Sequence, residues 1–359
     1  RNMKVIHTGD IHIGSALKTL PPDKARTRKA ELLDGFRRLC AYAKEIGAGA
    51  VLIAGDLFDE NGAAETLKRE VLSAIAAAGV PFFYVSGNHD DELAFGDGIP
   101  ENLRLFSAGH GWNSYALGGV TVTGMDTKNF SEEKFRSLAL PKDTFNIVLA
   151  HGDISDPRSG EYIPLAALRN KNIDYLALGH IHRPTLAKER LDERCEYRYC
   201  GCLEGRGFDE EGARGFFLLD VANGRVREEK FLSFAKRAVQ TRRADISACA
   251  GYFDVETAAL AALKDVRAED MVKLVLCGNY KTGLRKDIPL LTARLGERFF
   301  FVKVEDESKL YFDPREYERD LTERGEFVRE VGRYEMNEEL RAEILEVGLK
   351  ALNGEEIDL

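Results

Sequence analysis

Only seven histidines occur in the 359 residues, and two of them, His180 and His182, stand two apart at the end of the apolar run LALGHIH. Four earlier apolar runs also end in glycine-containing polar loops. They supply Asp10 and His12 from TGDIH, Asp56 and Asp59 from GDLFD, Asn88, His89 and Asp90 from GNHD, and His151 from HGD. Any one of these would be an ordinary strand-ending turn, in which glycine bends the chain and aspartate caps the next segment. Five together point to a shared site. Carboxylates and imidazoles, with one amide oxygen and no thiolate, suit borderline to hard divalent ions such as Mn, Fe or Zn rather than a closed structural zinc. Residues two apart in extended chain project to the same side, which pairs Asp10 with His12 and His180 with His182. A carboxylate can bridge two ions about 3.5 to 4 Å apart, as two-metal hydrolysis requires, and Asp56 is the candidate bridge.

For those loops to meet, the runs before them must lie side by side. KVIHTGD, AVLIAGD, PFFYVSGNHD, NIVLAHGD and IDYLALGHIH read as strands, whose ends would then share one rim of the sheet. Leu33, Phe36, Cys40 and Ala43 repeat at helical spacing between the first two runs, as do Leu67, Val71, Ile75 and Ala78 before the third. GVTVTGM and GFFLLDV add strands without long helices between them, which favours an α/β fold of mixed sheets with outer helices over a doubly wound parallel sheet. His7 alternates into the first strand as a packed histidine, and Asp90 reads as an outer partner of the ligands or as a cap. Asp153 reads as closing a turn, and His110 as a loop residue.

After Phe234 the texture changes. A helix over 254–266, the strand DMVKLVLCG, a helix near 288–297 and the strand RFFFVKV compose a small α/β domain of roughly 70 residues. The expected organisation is one large domain over 1–234, the small domain over 235–305, and an acidic helical tail over 306–359. Within the tail, Asp313, Pro314 and Glu316 mark a helix start. A further helix is expected over Glu338 to Leu352, with a partly apolar face from Leu340, Ile344, Val347 and Leu352.

The net charge of −9 is unevenly spread. From Glu305 onward there are 18 acidic and 8 basic residues, which leaves the preceding body at about +1. Acidic helices are repelled by a nucleic-acid backbone, so the tail suits packing on the body or binding a protein. The stretch from Arg225 to Arg243, with seven basic and two acidic residues, is usable for phosphate contacts or is an ordinary set of solvated charges. Six cysteines without a CxxC, among them the cluster Cys195, Cys200 and Cys202, read as buried thiols rather than disulfides or a zinc site. With Met3 as a natural start, no signal-peptide pattern and no apolar run of about 18 residues, a soluble, cytoplasmic protein without a membrane partner is expected.

In this order D-x-H, GD-x-x-D, GNH-[DE], H and GH-x-H resemble the motifs of the calcineurin-like metallophosphoesterases, over about residues 3 to 234. IHTGDIHIG, GDLFDE and YCGCLEGRGFDE are similar to the SbcD-type nuclease subunits of DNA repair, including the YhaO-like branch. The resemblance implies two packed mixed β-sheets flanked by helices, followed by a small α/β capping domain. It implies that Asp10, His12, Asp56 and His182 hold one divalent ion, and Asp56, Asn88, His151 and His180 the other, with Mn the first choice. A water or hydroxide bridging the ions would attack phosphorus. His89 then falls beside the ligands, where it contacts phosphate and protonates the leaving oxygen, with Asp59 orienting it. The implied substrate is DNA, cut by an exonuclease and endonuclease subunit in double-strand break repair. The implied partners are an SMC-like ATPase of the SbcC type, docked on the segment after the cap, and a second copy of the chain. The superfamily motifs by themselves also fit small phosphoesters such as cyclic nucleotides.

Overall fold

The apolar runs form strands buried on both faces, so their side chains divide by parity between two cores. The computed structural model describes residues 2–59, 64–90, 98–106, 111–281, 283–311, 314–317 and 319–354, so His110 and Asp313 lie outside the described residues. The chain divides into two compact units, Arg1–Val239 and Gln240–Leu359.

In the first unit, β1 (Met3–Thr8), β2 (Ala50–Ala54), β3 (Phe82–Val85) and β4 (Leu103–Leu105) pair in parallel in that order. The chain then crosses to a second sheet made of β5 (Asn113–Leu117), β6 (Val120–Gly124), β7 (Phe145–His151), β8 (Tyr175–Gly179), β9 (Glu189–Arg190) and β10 (Glu196–Tyr199). Its centre is parallel and its two edges are antiparallel. Finally β11 (Gly215–Ala222) and β12 (Arg225–Ser233) return to the first sheet, antiparallel beside β1. Two six-stranded mixed sheets result, as expected.

Val5, Leu52, Phe83, Val122, Ile147 and Leu149 form the core between the sheets. Their chain neighbours in the first sheet face outward, where Ile6, Val51 and Ile53 meet helices α1 (Pro22–Glu45) and α2 (Glu65–Ala78). Those helices bury Leu33, Phe36, Cys40 and Ala43, and Val71, Ile75 and Ala78, the positions that carried the helical spacing. The outer face of the second sheet packs on the short helices α3 (Glu132–Arg136) and α4 (Leu165–Leu168) through Phe135, Leu168, Leu176 and Leu178. Cys195, Cys200 and Cys202 are buried free thiols.

A buried ion network fastens the segment after β10 to α1. Arg28, fully buried, donates to Glu31 at 2.6 Å, to Glu204 at 3.2 Å and to the Gly205 carbonyl at 2.7 Å. Arg237 holds the far side of Glu31 at 2.6 Å, and Arg38 that of Glu204 at 3.0 Å. Arg237 and Lys236 pair with Glu31, Lys230 pairs with Glu228 and Arg243 with Glu307, so four of the seven basic residues in the 225–243 stretch are already engaged.

His7 sits between the sheets with no exposed surface. Its Nε2 lies 3.2 Å from the Leu178 carbonyl, which only accepts, so Nε2 carries the proton and Nδ1 accepts from the Tyr175 hydroxyl at 3.0 Å. Burial lowers its pKa from 6.5 to about 3. Between those values the unfolded chain binds the extra proton, so the contribution of neutral His7 is complete above about pH 6.5 and is lost as pH falls. From pH 7 to pH 5 the expected loss is about 2 kcal/mol. Urea unfolding at the two pH values measures it, and a His7→Asn variant, less stable at pH 7, should lack that part of the slope.

The second unit opens with β13 (Val239–Asp245), which forms a three-stranded sheet with β14 (Met271–Cys277) and β16 (Phe301–Asp306). β15 (Asn279–Lys281) and β17 (Lys309–Tyr311) form a second, two-stranded sheet. Helices α5 (Tyr252–Ala262) and α6 (Ile288–Gly296) bury Val255, Ala259, Leu291 and Leu295 against Leu274 and Val302. Further along, Pro314–Tyr317 makes only a 3₁₀ turn, and the α-helix expected there begins later, as α7 (Glu323–Arg333). Tyr317, at the end of that turn, packs with Val328, Val331, Leu345 and Leu349. Helix α8 (Glu338–Leu352) therefore buries Leu345 and Leu349, while Leu340 and Leu352 of the expected apolar face are exposed. No helix among the described residues is long and apolar enough to cross a membrane.

Candidate metal centre

The five strands whose ends carry the candidate residues do not lie in one sheet. β1, β2 and β3 belong to the first and β7 and β8 to the second, so the loops meet at the rim of the sandwich. Close approach, both between the sheets and between neighbouring loops, is what glycine provides there. A Cβ on Gly179 would stand 1.8 Å from the Ala54 carbonyl oxygen at the end of β2, and one on Gly87 would stand 2.0 Å from Asp56 Oδ1. The sharp turn after β8 is taken by His180 itself, at φ 107°. Asp10, His12 and Asp56 also hold positive φ, between 48° and 50°. Such backbone costs about 1–3 kcal/mol per residue and persists where surrounding contacts over-determine it.

Those contacts are present. Amides of Ile11 and His12 both donate to the Asp56 carbonyl, at 2.8 and 3.0 Å, locking the first loop to the second. Asp90 locks the second to the third: its carboxylate accepts from the amides of Phe58 at 2.9 Å and Gly87 at 3.0 Å. Asp90 is thus a strut between ligand loops. Asp153, by contrast, closes its own turn through Ser155.

Two groups of side chains that share Asp10 converge inside this frame, and a third, of His12, Asp59 and His89, lies beside them. Asp10, His12 and His182 form the first, with the Nε2 atoms of the two histidines 3.1 Å apart. Asp10, Asp56 and His151 form the second. His151 Nδ1 donates to the Ala54 carbonyl at 2.8 Å, so its Nε2 is a lone pair, and that lone pair faces Asn88 Oδ1 at 2.9 Å and Asp56 Oδ2 at 3.5 Å. The same Asp56 Oδ2 is 3.6 Å from His12 Nε2, which sets this carboxylate between the groups. His180 contributes its amide to Asp10 at 3.0 Å, while its ring packs edge-on to His151 and its Nδ1 lies 3.5 Å from Glu161. The His180 ring belongs to neither group. His89 donates its amide to Asp56 Oδ1 at 3.0 Å and leaves its ring partly exposed beside His12. Asp59 Oδ1 lies between the two rings, 3.5 Å from His12 Nδ1 and 3.8 Å from His89 Nδ1, so it serves His12 at least as closely as His89. The contact with His12 holds the Asp59 carboxyl well below its usual range.

Electrostatics shows what such a cluster calls for. Burial, with repulsion from Asp56, pushes Asp10 well above the ordinary carboxylate range, and burial, with repulsion from Asp90, pushes Asp56 up to about 8. Burial also lowers His12 to about 4 and His151 to about 3, so both imidazoles are neutral. Carboxylate oxygens and ring lone pairs therefore face one another in a buried pocket. Divalent cations complement this donor set in both charge and type.

Two acidic residues at the site escaped the sequence reading. Glu210 accepts from His182 Nδ1 at 2.7 Å and is nearly fully buried, and Glu161 stands beside His180. Neither follows an apolar run, and the EGRGFDE stretch was the one signal for Glu210. Arg206, from the same stretch, is clamped onto Glu210 at 2.7 Å.

The chain is 29% identical over 250 residues to the DNA double-strand break repair protein Mre11 of Haloferax volcanii, covering 67% of this chain and 53% of that protein. It is 25% identical over 249 residues to the uncharacterized metallophosphoesterase YhaO of Bacillus subtilis, covering 64% and 60%. The SbcD subunit of the nuclease SbcCD of Bacillus subtilis is 27% identical over 294 residues, covering 68% and 73%. The chain thus spans just over half the length of the first of these relatives. Residues 3–184, from the first residue of β1 to just past His182, match the calcineurin-like phosphoesterases. Because that match takes in all five candidate loops and more than half of the chain, the chain belongs to the calcineurin-like phosphoesterase family.

Proposed function

We propose that the chain hydrolyses phosphodiester bonds of DNA at a two-ion centre, as an exonuclease and endonuclease subunit in double-strand break repair. The observation that carries the hydrolytic part is Asp56 Oδ2, lying within 3.6 Å of a ring nitrogen from each of the two groups. In this reading Asp10, His12, Asp56 and His182 hold one ion, and Asp56, Asn88, His151 and His180 hold the other. Mn is the first candidate, with Fe or Zn as alternatives. When bound, such ions polarise a phosphoryl oxygen and lower the pKa of the attacking water. The chain's own groups supply the rest. The His180 amide fixes Asp10, the Ala54 carbonyl fixes the His151 tautomer, and the partly exposed His89 ring delivers a proton to the leaving oxygen, steadied by Asp59.

DNA as substrate is supported by the names of the relatives, a double-strand break repair protein and a nuclease subunit. The name of the SbcCD subunit supports an SbcC-type ATPase subunit as partner, and the reading adds pairing of two copies and a place in the cytoplasm. Residues 1–234 would act as the nuclease domain, 235–305 as a cap, and 306–359 as the segment offered to the partner. Assays with Mn on linear duplex DNA, nicked plasmid, cyclic nucleotides and an aryl phosphodiester test the substrate. Degradation of DNA is expected. Turnover confined to the small substrates would overturn the DNA reading and leave a small-molecule phosphodiesterase.

A further inference from the structure

We propose that Glu210 is a positioning residue of this centre: it fixes His182 in the tautomer whose Nε2 is free to bind an ion. The proposal rests on the two-ion reading above. Glu210 Oε1 lies 2.7 Å from His182 Nδ1 and is itself held by Arg206, through Nε at 3.0 Å and Nη2 at 2.7 Å. Its second oxygen accepts the Arg206 amide at 2.7 Å. The carboxylate is therefore saturated from behind and only 2% exposed, on the Nδ1 side of the imidazole, away from the Nε2 that faces His12. Glu210 is placed to orient a ligand and has no oxygen left to be one.

The tautomer needs such a device because Arg206 offers the opposite choice. Its Nη2 lies 3.1 Å from the same His182 Nδ1. An imidazole that accepted from this guanidinium would carry its proton on Nε2, pointing at His12 Nε2 and unable to bind metal. Glu210 excludes that state, since an acceptor-only oxygen at 2.7 Å forbids a lone pair on Nδ1. Removing Glu210 does more than loosen the ring: it leaves Arg206 alone with Nδ1 and selects the inactive tautomer. Of the other candidate ligand rings, His151 uses the Ala54 carbonyl in the same role, and His12 has Asp59 at 3.5 Å.

Long-range proton–nitrogen correlation spectra of the full chain, labelled at histidine and freed of metal, read the tautomer directly. Wild type should show His182 protonated at Nδ1. Glu210→Ala should move the proton to Nε2, and Glu210→Gln, which retains an acceptor oxygen, should restore it to Nδ1. If the alanine variant does not fold, Glu210→Met, of similar length, replaces the carboxylate with a thioether that accepts only weakly and carries the same expectation. Mn titration followed by electron paramagnetic resonance should then show one of two sites weakened by about 10 to 100-fold in Glu210→Ala or Glu210→Met and the other unchanged. An unaltered His182 tautomer in those variants, or Mn affinities within twofold of wild type at both sites, overturns the role of Glu210. Wild-type protein that binds no Mn would instead sink the two-ion reading, while the tautomer result would still decide on Glu210.

Discussion

Asp56→Ala is expected to release at least one of the two ions and to cut phosphodiesterase activity by about 10³-fold or more. Charge stabilisation by a catalytic ion is worth several kcal/mol, and each 1.36 kcal/mol is roughly tenfold in rate. Asp56 Oδ2 lies within 3.6 Å of a ring nitrogen of each group, while Asp10, which is common to both groups, stays in place in the variant. Its backbone is separable from this role, because the amides of Ile11 and His12 bind the Asp56 carbonyl, which alanine retains. The fold should therefore survive. In wild type without metal, Asp10 and Asp56 are two buried carboxyl groups that repel each other. Removing one relieves that repulsion, but it also takes the Asp56 Oδ1 acceptor from the His89 amide and leaves alanine at φ 48°, so metal-free Asp56→Ala should still unfold cooperatively, at or somewhat below the melting temperature of metal-free wild type. Metal analysis, activity and thermal melting on the same preparations check all three parts. A variant that keeps two ions, or one that unfolds, would refute the bridging role or the separability in turn.

The site was legible in the sequence to the extent that it is built from strand ends. Each candidate loop follows an apolar run, and Asp10, His12, Asp56, Asn88, His151, His180 and His182 are picked out as candidates by residue type, although the His180 ring joins neither group. Helices α1 and α2 were legible because one face of each is apolar at helical spacing. The division of the five strands between two sheets was not, since parallel strands buried on both faces look alike wherever they pair. Nor was Glu210, whose partner His182 lies 28 residues earlier and reaches it only through tertiary folding. Helix α8 has the expected bounds, Glu338–Leu352, but its buried face was not legible, for a different reason. Leu340, Ile344, Leu345, Val347, Leu349 and Leu352 leave apolar groups on several sides, so periodicity could not choose the buried face. Packing against α7 chose Leu345 and Leu349. Asp59 shows the finest limit. Three residues after Asp56, its oxygen settles between two histidines, at 3.5 Å from one and 3.8 Å from the other, a balance that spacing cannot express.

His89→Ala should lower turnover by about 10² to 10⁴-fold while both ions stay bound. The residue joins the centre in two separable ways. Its backbone amide donates to Asp56 Oδ1 at 3.0 Å, a contact that alanine preserves. Its ring stands outside the Asp10–His12–His182 and Asp10–Asp56–His151 groups and is 28% exposed, open to a phosphate arriving from solvent. A ring that donates a proton to the leaving oxygen matters most when that oxygen is a poor leaving group. The loss should therefore be large on DNA, whose leaving group is an alkoxide, and much smaller on an aryl phosphodiester, whose phenolate departs without a proton. That contrast separates acid catalysis from a general loss of fit, which would depress both substrates alike. The competing arrangement is specific, because His12, Asp59 and His89 also approach closely enough to surround an ion. If metal content falls together with activity, His89 is a ligand in that third group, and the proton must reach the leaving oxygen from another residue.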